Sequence, residues 1–473
     1  MTETRSPLVP ALIYAALSTA IVSSLGMLLV PTISREMDVS VGTAQWMLTI
    51  NLLVGAVATP VMGRLSDGPH KKKLLLWALL IILLGSVIAA LAPNFTVFLV
   101  GRSLQGLTYG IVPVTIALAR RYVAVDKVRF AISSLSVTVA TGLGIGYPLT
   151  GIIAGTLDFR FAFWFAALFV VTAIIVVFRA VPGGPDERAP RVPFDYTGAA
   201  LLGLGLGVLL LGISEGPKWG WGSQLTIGAF IVAAALLTAW VQAELRSPNP
   251  LINLRVLGNG DVLLANSTAI GLGAAMYIGL SISSLIAQAP ISTGYGVALP
   301  VFWAGFVMFP LSVGSFSANR LVRRLAHRVK LTTLLPIGAG MMAAAGILLW
   351  FAHTQLWEIL LGMLALGLGM GASYAAMPAL IARSVASEEL GSSVSFNQVL
   401  RTVGSSFGTA VSGAVLAANM APDLHPSGRG ITATLEIGAL LCAAVFVALL
   451  IHAMITRPQP KQTTRGHSMP NNP

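Results

Sequence analysis

Residues 63–73 read GRLSDGPHKKK. An apolar run of about 42–62 leads into them and a second, about 74–92, follows directly. A lone Asp67 and five potentially basic side chains (Arg64, His70, Lys71, Lys72, Lys73) occupy a hinge between two greasy segments. Apolar runs of about 20 residues on both sides of a tight polar hinge are what two bilayer-crossing helices require. The hinge therefore points to an all-α membrane protein. Its lysines and its Gly63–Asp67 pair need separate explanations.

The rest of the chain agrees. Of 473 residues, 55% are hydrophobic and 10% are charged, where a soluble domain carries about 25% charged residues. Mean hydropathy is +0.83. The net charge of +12 does not indicate nucleic acid, because the basic residues lie in short loops between apolar runs. The single cysteine, Cys442, sits in an apolar run and offers neither an internal disulfide nor a thiolate site. The N-terminal MTETRSPLVP lacks a signal-peptide cleavage pattern, so the first apolar run is expected to stay in the membrane. Residues 457–473 are polar and proline-rich and are expected to form a disordered cytoplasmic tail.

Fourteen candidate spans follow: about 8–33, 42–62, 74–92, 96–119, 130–155, 161–179, 195–214, 223–243, 261–287, 298–320, 331–351, 355–382, 392–419 and 432–455. With the N-terminus in the cytoplasm, 23 of the 29 Lys and Arg fall on the cytoplasmic side and 4 outside, while Arg102 and Arg401 fall within spans. Such an imbalance is the positive-inside pattern, and one missed span would scramble it. The expectation is a multi-pass protein of the plasma membrane with both termini cytoplasmic. Topology alone accounts for Lys71–Lys73.

Glycine spacing shows an internal repeat. Gly142, Gly146 and Gly151 recur as Gly404, Gly408 and Gly413, shifted by 262, and Gly101, Gly106 and Gly110 recur as Gly362, Gly367 and Gly371, shifted by 261. The hinge has a degenerate echo in GSFSANRLVRR, residues 314–324, with Ala318 where the Asp would fall. The repeat maps spans 1–6 onto spans 9–14 in the same orientation, which is a transporter architecture. The expected organisation is two pseudo-symmetric six-helix bundles, 1–192 and 258–456, plus two inserted helices in 193–257.

These features resemble the major facilitator superfamily, and within it the fourteen-helix drug:proton antiporter branch. Gly63, Leu65, Asp67, Lys71 and Lys72 fit the superfamily's loop signature between helices 2 and 3, with His70 where Gly is usual. LVGRSLQGLTYG (99–110) is similar to the fourth-helix signature, with Arg102, Gln105, Gly106 and Gly110 in place. GLGIGYPLTG (142–151) resembles the fifth-helix antiporter signature, with Tyr147 replacing the Gly before Pro148. EGPKWGWGS (215–223) looks like the short outer loop of fourteen-helix members. One departure stands out: the first span holds no carboxylate where many members carry an Asp, and Val22 and Ser23 fall near that place.

The resemblance implies roles. Gly63, Asp67, Lys71 and Lys72 become a conformational latch that closes the cytoplasmic side, Asp67 receiving hydrogen bonds from a helix N-terminus of the other half or from nearby basic residues. Gly142, Gly146, Tyr147, Pro148 and Gly151 become a gating helix, the glycines admitting another backbone and the proline permitting a bend; ordinary membrane packing is the alternative. Arg102, with Gln105, carries coupling or cavity charge, or snorkels outward. Arg401 shares a helical face with Asn397 and Gly404, at i, i+4 and i+7; a polar stripe in a membrane helix usually points into the bundle, and snorkelling at the cytoplasmic end is the alternative.

Acids are scarce, 17 in all, and none falls clearly in the middle of a span. Asp158, Asp195, Glu215 and Asp261 are the candidate proton carriers, though each reads first as a charge that anchors a helix end. Trp46, Asn51, Asn266, Tyr277, Trp303, Asn397 and Gln398 are candidate cavity residues, since apolar and aromatic walls with a few polar groups suit bulky lipophilic molecules. Walker-type phosphate loops and Cys/His clusters are missing from the sequence, so neither an ATP-driven pump nor an enzyme is expected, and no metal or cofactor. The expected partners are a small lipophilic substrate, protons and the bilayer around a monomer, without nucleic acid. The function that follows is proton-driven export by alternating access. A facilitator or symporter of another solute, such as an anionic metabolite, is the nearest alternative; a non-transporting receptor or scaffold is a more distant one.

Overall fold

Runs of Leu, Ala, Val and Ile give helices their apolar surface, and polar residues between the runs close the ends. Asn94, Asp195, Ser223 and Asn259 each accept a hydrogen bond from a backbone N–H in the first turn of the helix they precede. Gln355 and Glu358 form a reciprocal capping box. Gly220, at φ 90°, ends another helix in a conformation that only glycine adopts without strain.

In the computed structural model, residues 7–39, 41–44, 46–183, 193–325, 331–419 and 426–455 are described. The tail 457–473 and the basic residues Arg5, Arg188, Arg191, Arg328 and Lys330 lie outside them. The long helices are α1 (Leu8–Ser24), α2 (Trp46–Asp67), α3 (Lys71–Leu91), α4 (Phe95–Tyr122), α5 (Val125–Thr156), α6 (Arg160–Ala180) and α7 (Tyr196–Trp219). They continue as α8 (Gln224–Arg246), α9 (Gly260–Gln288), α10 (Val301–Val322), α11 (Leu331–Phe351), α12 (Leu356–Ser384), α13 (Leu390–Ala418) and α14 (Gly428–Ile455). Among the described residues, 12 helices are long and apolar enough to cross a membrane. α1, with 17 residues, and α13, which carries Asn397, Gln398 and Arg401, are not among them.

The expected first span, 8–33, is interrupted. α1 ends at Ser24, a 3-10 turn covers Met27–Leu29 and a short helix begins at Val30. Pro31 stands in the first turn of that helix, where its missing N–H costs nothing; inside one continuous helix it would clash with the preceding turn. α4 is also broken, at Gly106–Leu107, between helices Phe95–Gln105 and Thr108–Tyr122.

The glycine repeat is a repeat of contacts. A Cβ on Gly142 or Gly146 would collide with Ala20 or Ser24 of α1, and one on Gly404 or Gly408 with the Ile270 or Ala274 backbone of α9. Gly106 lies against the Asn51 carbonyl of α2, and Gly367 against the Leu311 carbonyl of α10. So α5 packs on α1 as α13 packs on α9, and α4 on α2 as α12 on α10. In a bilayer, close backbone approach at small residues does the work that hydrophobic burial does in water. α7 and α8 pack on each other, and α7 lies against α2 and α13. Burial separates the layers: 72% of the apolar window is buried in α9 and in α12, against 17% in α8 and 22% in α14. Trp77, Leu84, Phe178 and Ile231 point outward from α3, α6 and α8 as an apolar face suited to lipid.

Candidate functional site

Asp67 ends α2, and its side chain crosses to the opposite half. One carboxylate oxygen accepts the Gly391 N–H at 2.6 Å and the other the Ser392 N–H at 3.0 Å. Both donors belong to the first turn of α13, whose leading N–H groups lack partners within the helix. A carboxylate there gains from the helix dipole as well as from two charge-assisted bonds. Asp67 is 4% exposed. Gly63, one turn back, allows the approach: a Cβ on it would overlap Ser395 and lie 2.8 Å from the Gly391 carbonyl oxygen. Gly391 is equally tight, its Cβ position 2.7 Å from the Gly63 carbonyl oxygen. The sequence reading missed Gly391 and Ser392; the signal was the SEELGSS run of 387–393, a helix start rich in small residues.

The lysines take local work. Lys71 Nζ donates to the Gly68 carbonyl at 2.8 Å, and Lys72 Nζ donates to the Phe178 and Val181 carbonyls at the end of α6. His70 is exposed and makes no capping hydrogen bond at the start of α3. At the same end of the bundle, Arg120 of α4 donates to the Ala382 and Val385 carbonyls at the end of α12. The halves are thus tied by a carboxylate on a helix N-terminus and a guanidinium on a helix C-terminus. Sequence reading had treated Arg120 only as a loop charge.

The opposite end is held by backbone contact. The Gly151 Cβ position lies 3.0 Å from the Val301 and Phe302 carbonyl oxygens, and that of Gly305 lies 2.7 Å from the Tyr147 carbonyl oxygen and 3.2 Å from the Pro148 Cα. Ser312 donates to the Thr141 carbonyl at 2.5 Å. Of the five residues named for the gating helix, Gly151, Tyr147 and Pro148 therefore meet α10, whereas Gly142 and Gly146 meet α1 of their own half. A vestibule of about 390 Å³, lined by Arg35, Glu36, Asp158 and Phe302 among others, lies beyond this contact. Gly305→Ala is expected to wedge α5 from α10 and to raise the accessibility of this end to a membrane-impermeant thiol reagent, read at a cysteine placed at Phe302. Unchanged labelling would mean that the contact yields elsewhere.

Between the two ends lies a cavity of about 50 Å³ lined by both halves. Its polar wall includes Ser23, Tyr109, Tyr277, Tyr374, Gln398 and Arg401, and Ala, Leu, Val and Met side chains supply most of the remainder. Drug-sized sites need about 300–1,000 Å³, so the halves must part before such a molecule enters.

Arg102 lies outside this cavity and is 1% exposed. Its Nε donates to the Met47 carbonyl at 3.2 Å and its Nη1 to Gln105 Oε1 at 2.7 Å; Gln105 donates onward to Ser86 at 2.8 Å. Asn51 donates to the Arg102 carbonyl at 3.1 Å. This network joins α2, α3 and α4 without a carboxylate. Of the cavity residues expected from sequence, Tyr277 and Gln398 line it. Asn397 and Asn266 bond each other at 3.0 Å between α13 and α9, Trp46 starts α2, and Trp303 is 56% exposed beside Phe302 and Phe306.

None of the four carboxylates considered for the proton lines the cavity. Asp158 bonds the Arg160 backbone and side chain, Asp195 caps α7, Glu215 faces Lys218 at 3.9 Å, and Asp261 pairs with Arg383. Glu244, 2% exposed, accepts the Trp240 indole N–H at 2.8 Å. It sits near the end of α8 and is not among the cavity-lining residues.

Two like halves around a closed central cavity define a membrane transporter. The profile of the Major Facilitator Superfamily matches residues 11–409, and the chain belongs to that superfamily, whose members are transporters and not enzymes. It is a multi-pass membrane protein. It is 28% identical over 418 residues to the MFS-type transporter Rv1877 of Mycobacterium tuberculosis, covering 87% of this chain but 59% of that relative, so it spans less than two thirds of its length. It is 27% identical over 400 residues to multidrug resistance protein Stp of M. tuberculosis, covering 84% of this chain and 73% of that one. It is 22% identical over 417 residues to multidrug transporter protein MdtP of Bacillus subtilis, covering 87% and 75%. The crystal structure of the human organic anion transporter MFSD10 is similar at a TM-score of 0.67 and 15% identity, covering 95% of this chain and 100% of that one, a likeness of fold.

Proposed function

We propose that this protein is a secondary active transporter of the drug:proton antiporter type, exporting lipophilic small molecules across the plasma membrane by alternating access. The central cavity carries this reading. It is lined by both halves, walled by aliphatic side chains and three tyrosines, and too small to hold a drug-sized molecule until one end opens. Relatives named as a multidrug resistance protein and a multidrug transporter protein support it. In this scheme both termini and the Asp67 end face the cytoplasm, as the loop charges favour, and Asp67 with Gly63 latches that side shut.

Cells expressing the chain are expected to expel a preloaded fluorescent lipophilic probe, and a protonophore is expected to stop them. Efflux indifferent to the protonophore would reject proton exchange and favour the second reading, a facilitator or symporter of another solute. That reading has its own support: among the described residues lining the cavity there is no carboxylate to exchange a proton.

A further inference from the structure

The two buried arginines differ in one respect that bears on the cargo. Arg102 spends its guanidinium on Met47 and Gln105. Arg401, 3% exposed on α13, gives its Nη2 to Gln398 Oε1 and also interacts with the Tyr374 side chain. Its Nε and Nη1, three of the five N–H bonds of the side chain, have no hydrogen-bond partner among the described residues. The guanidinium lies over the Tyr374 ring, 4.4 Å from its centroid, and the Tyr374 hydroxyl is turned to the Met276 sulfur at 3.2 Å. Arg401, Gln398, Tyr374 and Met276 all line the central cavity, where Arg401 is the single charged residue among those described.

Burying a charge without a counter-charge is costly, and unpaired buried donors add to that. Gln398 and Tyr374 position the group; they do not neutralise it. We propose that Arg401 is the anion subsite of the transport cavity and that the substrate is a lipophilic organic anion, a carboxylate or sulfonate on an apolar body. The acidic group takes the free Nε and Nη1 donors, and the body lies among Tyr109, Tyr277 and the aliphatic wall. The inference rests on the export reading and narrows it.

The test uses two naphthalene probes of matched size, one bearing a carboxylate and one a trimethylammonium group. Binding is read as probe fluorescence with the purified full chain, and transport in everted vesicles. Wild type is expected to bind and move the carboxylate at least tenfold better than the ammonium. Arg401→Gln is expected to lose at least tenfold in carboxylate affinity, and Arg401→Lys less, because it keeps the charge but not the planar fork. Arg401→Gln is also expected to melt no lower than wild type in detergent, a result that a merely structural arginine would not give. Equal or better handling of the ammonium, or full carboxylate affinity in Arg401→Gln, overturns the inference while leaving export standing. Carboxylate binding through Arg401 with no movement of either probe upholds the subsite and rejects export. No binding of the carboxylate by wild type overturns the subsite.

Discussion

Gly391→Val is expected to disrupt closure of the Asp67 end and to lower transport about thirtyfold. The reason is distance. A Cβ at position 391 would lie 2.6 Å from an Asp67 carboxylate oxygen and 2.7 Å from the Gly63 carbonyl oxygen, and would overlap Ser66. The Ser66 hydroxyl can rotate, but the Gly63 carbonyl is backbone and the Asp67 carboxylate is fixed by two hydrogen bonds, so neither of these can swing away. Relief requires α2 and α13 to separate, which breaks both bonds to Asp67. Overpacking costs about 1–3 kcal/mol, and even 2 kcal/mol moves a two-state balance by about thirtyfold. Each half keeps its own glycine contacts, so the variant is expected to insert and to elute as a single species. Spin labels on the exposed Leu65 and Glu388 measure the gap directly, since the sole cysteine, Cys442, is 2% exposed. An unchanged label distance in Gly391→Val would show that this end does not depend on close approach.

Asp67→Asn is expected to lower transport five- to thirtyfold without lowering membrane insertion. Here the close approach survives and only the chemistry changes. The carboxylate accepts two backbone N–H bonds at 2.6 and 3.0 Å; an amide has one acceptor oxygen, and its NH2 group must face the second N–H. Loss of a helix cap and of its charge costs about 1–2 kcal/mol, a factor of about 5–30. The label distance is expected to broaden toward the open value, not to shift entirely as in Gly391→Val. Wild-type transport in Asp67→Asn would reject the latch. If Gly391→Val and Asp67→Asn act on one contact, their effects are also expected to be less than additive when combined.

The hinge shows how far the sequence goes. Its lysines follow from topology, and its Gly63 and Asp67 stood out as features that topology leaves unexplained. Their partners, Gly391 and Ser392, lie more than 320 positions away and carry no side-chain chemistry to announce them, because the donors are backbone N–H groups. The echo at 314–324 carries Ala318 where the Asp would fall, and Ala318 packs on α12, where a Cβ on Gly371 would lie 2.8 Å from its side chain. The broken first span was legible in Pro31, because a proline inside a continuous helix clashes with the preceding turn.

The sequence by itself determined the apolar runs and the glycine register that makes α5 on α1 match α13 on α9. Those properties are local or periodic, and spacing expresses them. Tertiary structure alone decided that Arg102 is satisfied inside one half while Arg401 stands unpaired at the centre, that the four candidate carboxylates bond at helix ends, and that Asn397 faces α9 while Gln398 faces the cavity. The physical reason is that lipid and a neighbouring helix are both apolar solvents for a membrane helix. Periodicity tells which residues share a face, but the hydrophobic signal that in water marks the inward face is silent here.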